Sequence, residues 1–524
     1  MQKKNLFIVL VLSILINQFW WLIQKDESKL WATPPRHFTN QATTLTQLLV
    51  HYMPWYQAKP VRNYWGWHWT MNHFNPDLQD QTGKREIASH YYPLTGPYDS
   101  NDFDVLEYQV LLMKLSGIDG IIPDWYGVED FWDYGLIHES TQYLFQYAQR
   151  AGLSFAVCYE DKTIKEMVNN NHLSADNAVT HAQEVMQFLA ENWFSDPTYL
   201  KLDTRPVFLI FGPQYFYRSA EWEAIFSVLE TPLHFFTLDN VLNPVATGAY
   251  PWPPMWKAVD GVLSEAALNE YLEAFYQKSA NWEFLVAGAF PGFNDIYAEA
   301  GLGFSYGLLA ANNGETFRST MQKAIDNQAD IVQIITWNDY GEGTTIEPTL
   351  EYGYQYLEMI QDFKKNSIDP DFQYQATDLR VPMKIYDLRK KHKGNSEINA
   401  RLDTAFNLIV ADELDSAIAL IDEITSIALN QANENLPTEF LLEQNYPNPF
   451  NSSTLISYQL PRAGRVKLAI FNVAGQLVEI LVDGMRPAGY HSVCWQAKDL
   501  SAGVYFCRIE AGAYYAMKKL LYLK

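Results

Sequence analysis

The sequence predicts an α/β protein: a (β/α)8 TIM barrel, then a helical segment, then a small C-terminal all-β Ig-like sandwich. Three observations point there. Eight short β-branched or aromatic runs alternate with amphipathic helical stretches over about 300 residues, the length and rhythm of a parallel barrel. The first run is followed by Pro54-Trp55-Tyr56, where a doubly wound sheet would place a glycine-rich phosphate loop. Beyond Glu351 the strands give out in favour of helix, and from Gln444 short strands return, punctuated by Gly and Pro.

Taken in order, residues 1–25 come first, with Lys3 and Lys4 ahead of an apolar stretch, Leu6–Ile16. That length suits a signal peptide and falls short of the ~20 residues that span a bilayer. No clean small-residue cleavage site follows and Phe19–Ile23 prolongs the apolar character, so an uncleaved anchor is the alternative. The barrel is expected over residues 46–360. Its strands are predicted at Leu48–Met53, Gly120–Pro123, Ser154–Tyr159, Val207–Phe211, His234–Leu238, Gly248–Tyr250, Phe284–Ala289 and Val332–Thr336. Helices are predicted between them, among them Asp104–Leu115, Glu139–Arg150, Asp176–Trp193, Ala220–Leu229, Glu265–Ser279 and Glu315–Asn327. A helical segment (361–432) includes an amphipathic hairpin at Leu402–Ile424, a polar linker (433–442) contains Pro437, and the sandwich occupies residues 443–524.

Composition excludes several classes. With 48% hydrophobic and 19% charged residues the chain reads as globular. Against 38 Lys and Arg stand 61 Asp and Glu, a net charge of -23, and so acidic a body repels a phosphate backbone; nucleic acid is not the expected partner. Three cysteines cannot build a disulfide scaffold or a four-ligand zinc site. Cys158 reads as a small buried hydrophobe, and Cys494 and Cys507 flank a turn where they would either pair or stay free. No His/Asp/Glu cluster has metal-ligand spacing and no Ser or Cys sits at a nucleophile elbow, so neither metal nor cofactor is expected.

A parallel barrel keeps its active site at the carboxyl ends of its strands. Those ends carry His51, Tyr52 and Trp55, then Asp124-Trp125-Tyr126, then Tyr159-Glu160-Asp161, then Asp239, Trp252 and Asn294-Asp295, and last Trp337-Asn338-Asp339-Tyr340-Gly341-Glu342-Gly343 with Glu347 beyond. Carboxylates interleaved with indole and phenol rings suit a sugar: rings stack on apolar sugar faces while carboxylates bind hydroxyls and move protons. Asp339 and Glu342 are the expected catalytic pair. On a helical turn the i, i+3 spacing puts both on one face, and crowding drives their pKa values apart into an acid and a base. The bland alternative is a helix cap at Asp339 and a solvated Glu342. Substrate contacts are expected from Asp124, Trp125, Tyr126, Tyr52, Trp55, Trp337, Asn338 and Glu160, each against a packing or capping alternative. His51 reads as a buried, hydrogen-bonded histidine, and the loop bearing Trp65, Trp67, His68, Trp69 and His73 as either a cleft wall or a self-packed loop.

Two resemblances sharpen this reading. The motifs HYMPWY (51–56), ASHYYPLTGPYDS (88–100), GIDGIIPDWYG (117–127) and WNDYGEGTTIEP (337–348) together resemble glycoside hydrolase families 99 and 71. That likeness implies a metal-independent barrel acting on α-linked mannose or glucose polymers. In family 99 two glutamates three apart follow the last strand: the first deprotonates the sugar 2-hydroxyl, which attacks the anomeric carbon to form a 1,2-anhydro sugar, and the second is acid, then base. By position these are Asp339 and Glu342; the first is one methylene shorter here, and W-N-D-Y-G-E is closer in wording to family 71. The tail, from QNYPNPFNSS (444–453) through LSAGVYFCRI (500–509) to MKKLLYLK (517–524), is similar to the sorting domain of type IX secretion. It implies export, then release or attachment at the outer surface of a Gram-negative bacterium, with the secretion machinery as partner. The expected function is thus a secreted glycosidase, and its alternative a non-catalytic glycan-binding surface protein on a degenerate barrel.

Overall fold

The computed structural model describes residues 45–434, 437–498 and 500–523. The leader expected at 1–25 lies outside the described residues. The chain divides into two compact units, 1–418 and 419–524.

Eight parallel strands form the first unit's sheet: β1 (Gln47–Tyr52), β2 (Gly120–Trp125), β3 (Ser154–Phe155, resuming at Val157–Tyr159), β4 (Arg205–Ile210), β5 (His234–Leu238), β6 (Gly248–Tyr250), β7 (Val286–Ala289) and β8 (Ile331–Ile334). Their order is β6-β5-β4-β3-β2-β1-β8-β7. Only β6 and β7, neighbours in space, lack a hydrogen-bonded ladder, so the barrel is nearly closed. Its strands are legible as apolar runs because helices cover the outside and side chains fill the inside. In β1, β2 and β7, for example, every residue but Gln47 is buried.

Alternation along each strand sorts side chains between these two layers. Register pairs Leu49 with Gly120, His51 with Ile122, and Asp124 with Cys158. His51, Asp124 and Cys158 converge inside the barrel, while their sequence neighbours Tyr52, Trp125 and Tyr159 turn towards the helices.

The helices have explicit ends. In α1 (Phe103–Ser116), Asp102 accepts the Asp104 N–H at the start and Gly117 closes the other end at φ 86, a left-handed conformation that glycine adopts without strain. Ser264 caps the helix Glu265–Ser279 through Ala267 N. The stretch expected as one helix over 176–193 is a 3-10 turn, an α-helix (Ala178–Leu189) and a π turn. Residues 361–410 brace the barrel. The guanidinium of Arg389, on the helix Val381–Lys391, forms a bidentate, nearly buried pair with Glu107 of α1 at 2.8 and 2.9 Å, and Lys364 pairs with Asp119 below β2 at 2.6 Å. The predicted hairpin is two helices, Ser396–Val410 and Leu414–Glu434.

The second unit is a sandwich of two sheets. One pairs Leu441–Leu442, Ser453–Leu460 and Gly489–Gln496; the other pairs Phe450–Asn451, Tyr514–Leu523, Gly503–Ala511, Gly464–Asn472 and Leu477–Arg486. Trp495, Leu468, Ile470 and Tyr505 fill the space between them. The Asn-Tyr-Pro-Asn-Pro-Phe opening works as a clasp. Asn445 is buried and donates to Pro447 O and Thr454 Oγ1, while Asn448 Oδ1 accepts the Leu521 N–H from the last strand. Cys494 is exposed on the smaller sheet, Cys507 is buried in the larger, and both are free thiols.

Candidate active site

The loop after β8 carries the two carboxylates singled out from sequence. Residues 337–347 form no helix, contrary to the geometry expected from spacing. The pair is instead brought together by a side-chain turn: Asp339 Oδ1 accepts the backbone N–H of Glu342 at 2.9 Å and that of Gly341. The turn is locked from outside. Asn294 N donates to Glu342 O and Ile296 N to Gly341 O, and a Cβ at Gly343, where φ is 66, would lie 2.5 Å from Asn294 O. The cap proposed as the bland alternative for Asp339 is thus present, on a turn and not a helix. It coexists with burial: Asp339 is 5% exposed.

Burial also sets the electrostatics. It lifts the Asp339 carboxyl to about 6, against the lowering pull of the two N–H donors. Glu342 is partly exposed as a residue, but its carboxyl end lies deep among protein atoms. Burial first, and then the charges of Asp339, Asp295 and Asp124, hold it well above the usual carboxylate range, with the Trp252 indole donating to it and pulling the other way. Asp124 rises to about 7 through burial, opposed by Tyr126 and Lys162 and reinforced by Asp339. Glu160, whose Oε2 accepts from Gln214, is likewise raised by burial and then by Asp124. Four carboxyl groups from three strand ends thus share one field. On the final loop burial raises both carboxyls, and the Asp339 charge raises Glu342 further.

Around them stand rings. Trp252 contacts His51 edge-on at 5.0 Å and Phe211 at 4.9 Å. Tyr297 and Tyr306 are lifted above the usual phenol range by burial and then by Glu342. Trp55 stacks on His68 at 4.2 Å and stays partly exposed at the rim beside Tyr126 and Tyr134. The Trp-rich loop is mostly self-packed: Trp69 is fully buried, donates to Tyr98 O and lies 5.3 Å from Tyr340. Trp252, Tyr297 and Tyr306 were absent from the contacts expected from sequence. Trp252 sits at a strand end, a signal already visible; the two tyrosines reach the site only through the fold of the 295–307 loop, which Asp295 gathers by accepting from Tyr306, Gly307 and Ser305.

Four expected contacts are corrected. Tyr52 is fully buried on the helix side of β1 and donates to Gln109 of α1 at 2.7 Å. Trp125 is fully buried behind β2, its indole donating to His138 at 3.2 Å and its ring packed against Trp193. Asn338 spends its whole amide on protein partners, accepting from Met53 N and donating to Met53 O and Tyr98 Oη. Trp337 is fully buried with its indole directed to Glu347. Glu347 accepts from Tyr98, Tyr340 and Gln109 at 2.7 to 2.8 Å and is pushed up to about 7 by burial. These residues form a polar network that holds the loop after β8 to β1 and α1. Asp124, Tyr126, Trp55 and Glu160 keep positions at or near the strand ends. A cavity of about 50 Å³ bounded by Leu263, Leu309 and Ser319, and a groove of about 250 Å³ between Phe145, Phe188 and Trp193, contain none of these groups.

Sequence spacing gave no hint of a metal cluster. In three dimensions His51, Asp124 and Cys158 present ligand atoms within 4.8 Å of one another, all buried.

Several known proteins are similar to segments of this chain. Residues 444–522 match the family described as secretion system C-terminal sorting domain. Residues 269–360, which include Asp339 and Glu342, match the family described as glycosyltransferase WbsX. A glycoprotein endo-alpha-1,2-mannosidase-like protein from Danio rerio is 22% identical over 329 residues, covering 57% of this chain and 70% of the relative. Two solved structures of the GH99 endo-alpha-mannosidase from Bacteroides thetaiotaomicron are 20% and 19% identical. They cover 61% and 62% of this chain and 97% and 99% of their own, at TM-scores of 0.45 and 0.46. The barrel thus resembles, at 22% identity, an endo-alpha-1,2-mannosidase-like protein, and residues 444–522 match a secretion system C-terminal sorting domain.

Proposed function

We propose that the chain is a secreted glycosidase that cleaves α-linked glycans of the mannan or glucan type inside the polymer, with Glu342 as acid/base and Asp339 as its basic partner. The observation that carries this reading is the pair of buried carboxyls on one turn, Asp339 lifted to about 6 by burial and Glu342 held well above the usual carboxylate range by burial and its neighbour's charge. Asp124, Glu160, Tyr126 and Trp55 would meet the sugar's hydroxyls and faces. The tail's match supports export by type IX secretion, with release or attachment at the outer surface.

Stereochemistry links mechanism to substrate. In the 2-hydroxyl route Asp339 removes the O2 proton, O2 attacks C1, and Glu342 gives its proton to the leaving oxygen. Glu342 then takes a proton from water as that water opens the 1,2-anhydro ring at C1, and O2 regains a proton from Asp339. Attack by O2 requires it to stand trans to the leaving group. An α-mannoside places it so; an α-glucoside places it cis. Cleavage through O2 therefore selects α-mannan, whereas an α-glucan substrate would require Asp339 to act as nucleophile or on water directly.

Purified chain incubated with α-1,2-mannan, α-1,3-glucan and related polymers, with the released anomer followed by NMR, tests this. The reading expects new reducing ends from one polymer class. Retention of a polymer without release would leave the non-catalytic glycan-binding protein in its place. The glycosyltransferase match over 269–360 favours a second reading, transfer to a sugar instead of water. Four clustered carboxyls would repel a sugar diphosphate donor, which supports hydrolysis. Transfer products from an added oligosaccharide acceptor would decide for the second.

A further inference from the structure

Near the carboxyl ends of β1, β2 and β3 lie three clustered side chains, of which only Asp124 already has a proposed part. His51 and Asp124 are the penultimate residues of β1 and β2, and Cys158 pairs with Asp124 in register from β3. Their ligand atoms lie within 4.8 Å of one another and all three residues are buried. Two buried polar atoms of these residues have no protein partner, His51 Nε2, on a residue 0% exposed, and Asp124 Oδ1, on a residue 4% exposed, while Cys158 Sγ lies 3.3 Å from Tyr250 Oη. Buried polar atoms left unpaired are costly. Two such atoms on residues of one cluster point to a missing partner, and the set of one nitrogen, one carboxylate oxygen and one sulfur specifies its chemistry.

We propose that His51, Asp124 and Cys158 form a transition-metal site, of the type that takes Zn2+, with its fourth position open towards the carboxylate pair. Imidazole nitrogen, carboxylate oxygen and thiolate sulfur bind this ion at about 2.0–2.3 Å, and tetrahedral geometry then puts the ligand atoms roughly 3.5 Å apart. Each side chain closes on the ion by less than about an ångström. A set containing thiolate and imidazole excludes Mg2+ and Ca2+ as the matched ions. The surroundings agree. The Gln333 side-chain nitrogen lies 2.8 Å from His51 Nδ1; flipping that amide would let its oxygen accept from Nδ1–H and leave the lone pair on Nε2, an arrangement common behind metal-bound histidines. A bound cation displaces the proton of a coordinating thiol. Asp339 adds negative field at Asp124, and Lys162 opposes it.

The full-length chain, stripped with chelator and dialysed against Zn2+, should retain one ion per chain by mass spectrometric metal analysis. Loaded with Co2+, it should show the absorption of a sulfur–cobalt bond. C158S should lose that band and bind Zn2+ at least about 10-fold more weakly, and H51A should lose stoichiometric retention, with circular dichroism reporting that both variants are folded. C158S changes one atom, so it keeps the test interpretable if H51A does not fold. No ion retained, or an ion retained equally by wild type and C158S, overturns the site. The outcome is separable from the glycosidase reading, since polymer hydrolysis and ion stoichiometry are independent measurements.

Discussion

Replacing Asp339 with Asn moves two readouts in opposite directions. Burial lifts the Asp339 carboxyl from 3.8 to about 6. Between these values the folded chain keeps a proton that the unfolded chain has released, so stability falls as pH rises through that window. A gap of about two units at about 1.36 kcal/mol per unit makes the ionised side chain cost about 3 kcal/mol above pH 6. Asparagine retains an oxygen for the Gly341 and Glu342 N–H groups and carries no charge. With an unfolding entropy of about 2.1 cal/mol/K per residue, a unit the size of the barrel would gain about 4 °C in melting temperature at pH 8 and almost nothing at pH 4. Turnover should fall by about 10²–10⁴, the usual contribution of a general base. Thermal melts by circular dichroism at the two pH values, with chelator present, are compared with reducing-end release on the active polymer. A melting temperature lowered at pH 8 and unchanged at pH 4 would mean that the charge is welcome in this site, and undiminished turnover would remove Asp339 from the chemistry.

Glu342→Gln should abolish hydrolysis, by about 10²–10⁴ or more, while glycan retention in affinity electrophoresis persists; unimpaired release of reducing ends would defeat the acid assignment. Wild-type kcat/KM should rise with pH through about 6 as Asp339 ionises and fall at higher pH as Glu342 loses its proton. Trp252→Phe deletes the indole donor that lowers Glu342, so the basic limb of that profile should move upward, and a stationary limb would show that the indole does not reach the carboxyl. Trp125→Phe should lower the melting temperature, at a cost of about 1–3 kcal/mol for lost packing and an orphaned His138, with KM for the polymer unchanged. A raised KM would put Trp125 back in contact with the glycan.

Which parts of this molecule could be read from sequence follows from which interactions are local. All eight barrel strands were legible because parallel strands covered on both faces must be apolar throughout, and the interruptions between them are long. Helix ends such as Asp102 and Ser264 carry their own chemistry. Asp339 and Glu342 were legible as a pair because three residues keep any tight turn compact, although the turn is built by Asp339's own side chain and not by a helix. Tyr52 and Trp125 were misplaced by attending to residue type at a strand end. Alternation, also in the sequence, already sets each on the face opposite His51 and Asp124. Asn338 and Trp337 were misjudged for a different reason: the partners that consume their polar groups, Met53, Tyr98 and Glu347, lie elsewhere along the chain or across the loop.

By itself, then, the sequence determined the barrel, its bracing helices, the sandwich and the acidic pair, because periodicity, capping and short-range spacing act between neighbours in the chain. Tertiary structure alone decided how deep each carboxyl lies and therefore how far burial raises it. It also decided that Trp252, Tyr297 and Tyr306 wall the site, and that Cys158 from β3 meets His51 from β1 across Asp124. Desolvation and convergence depend on atoms brought from distant segments, and strand register sets those distances.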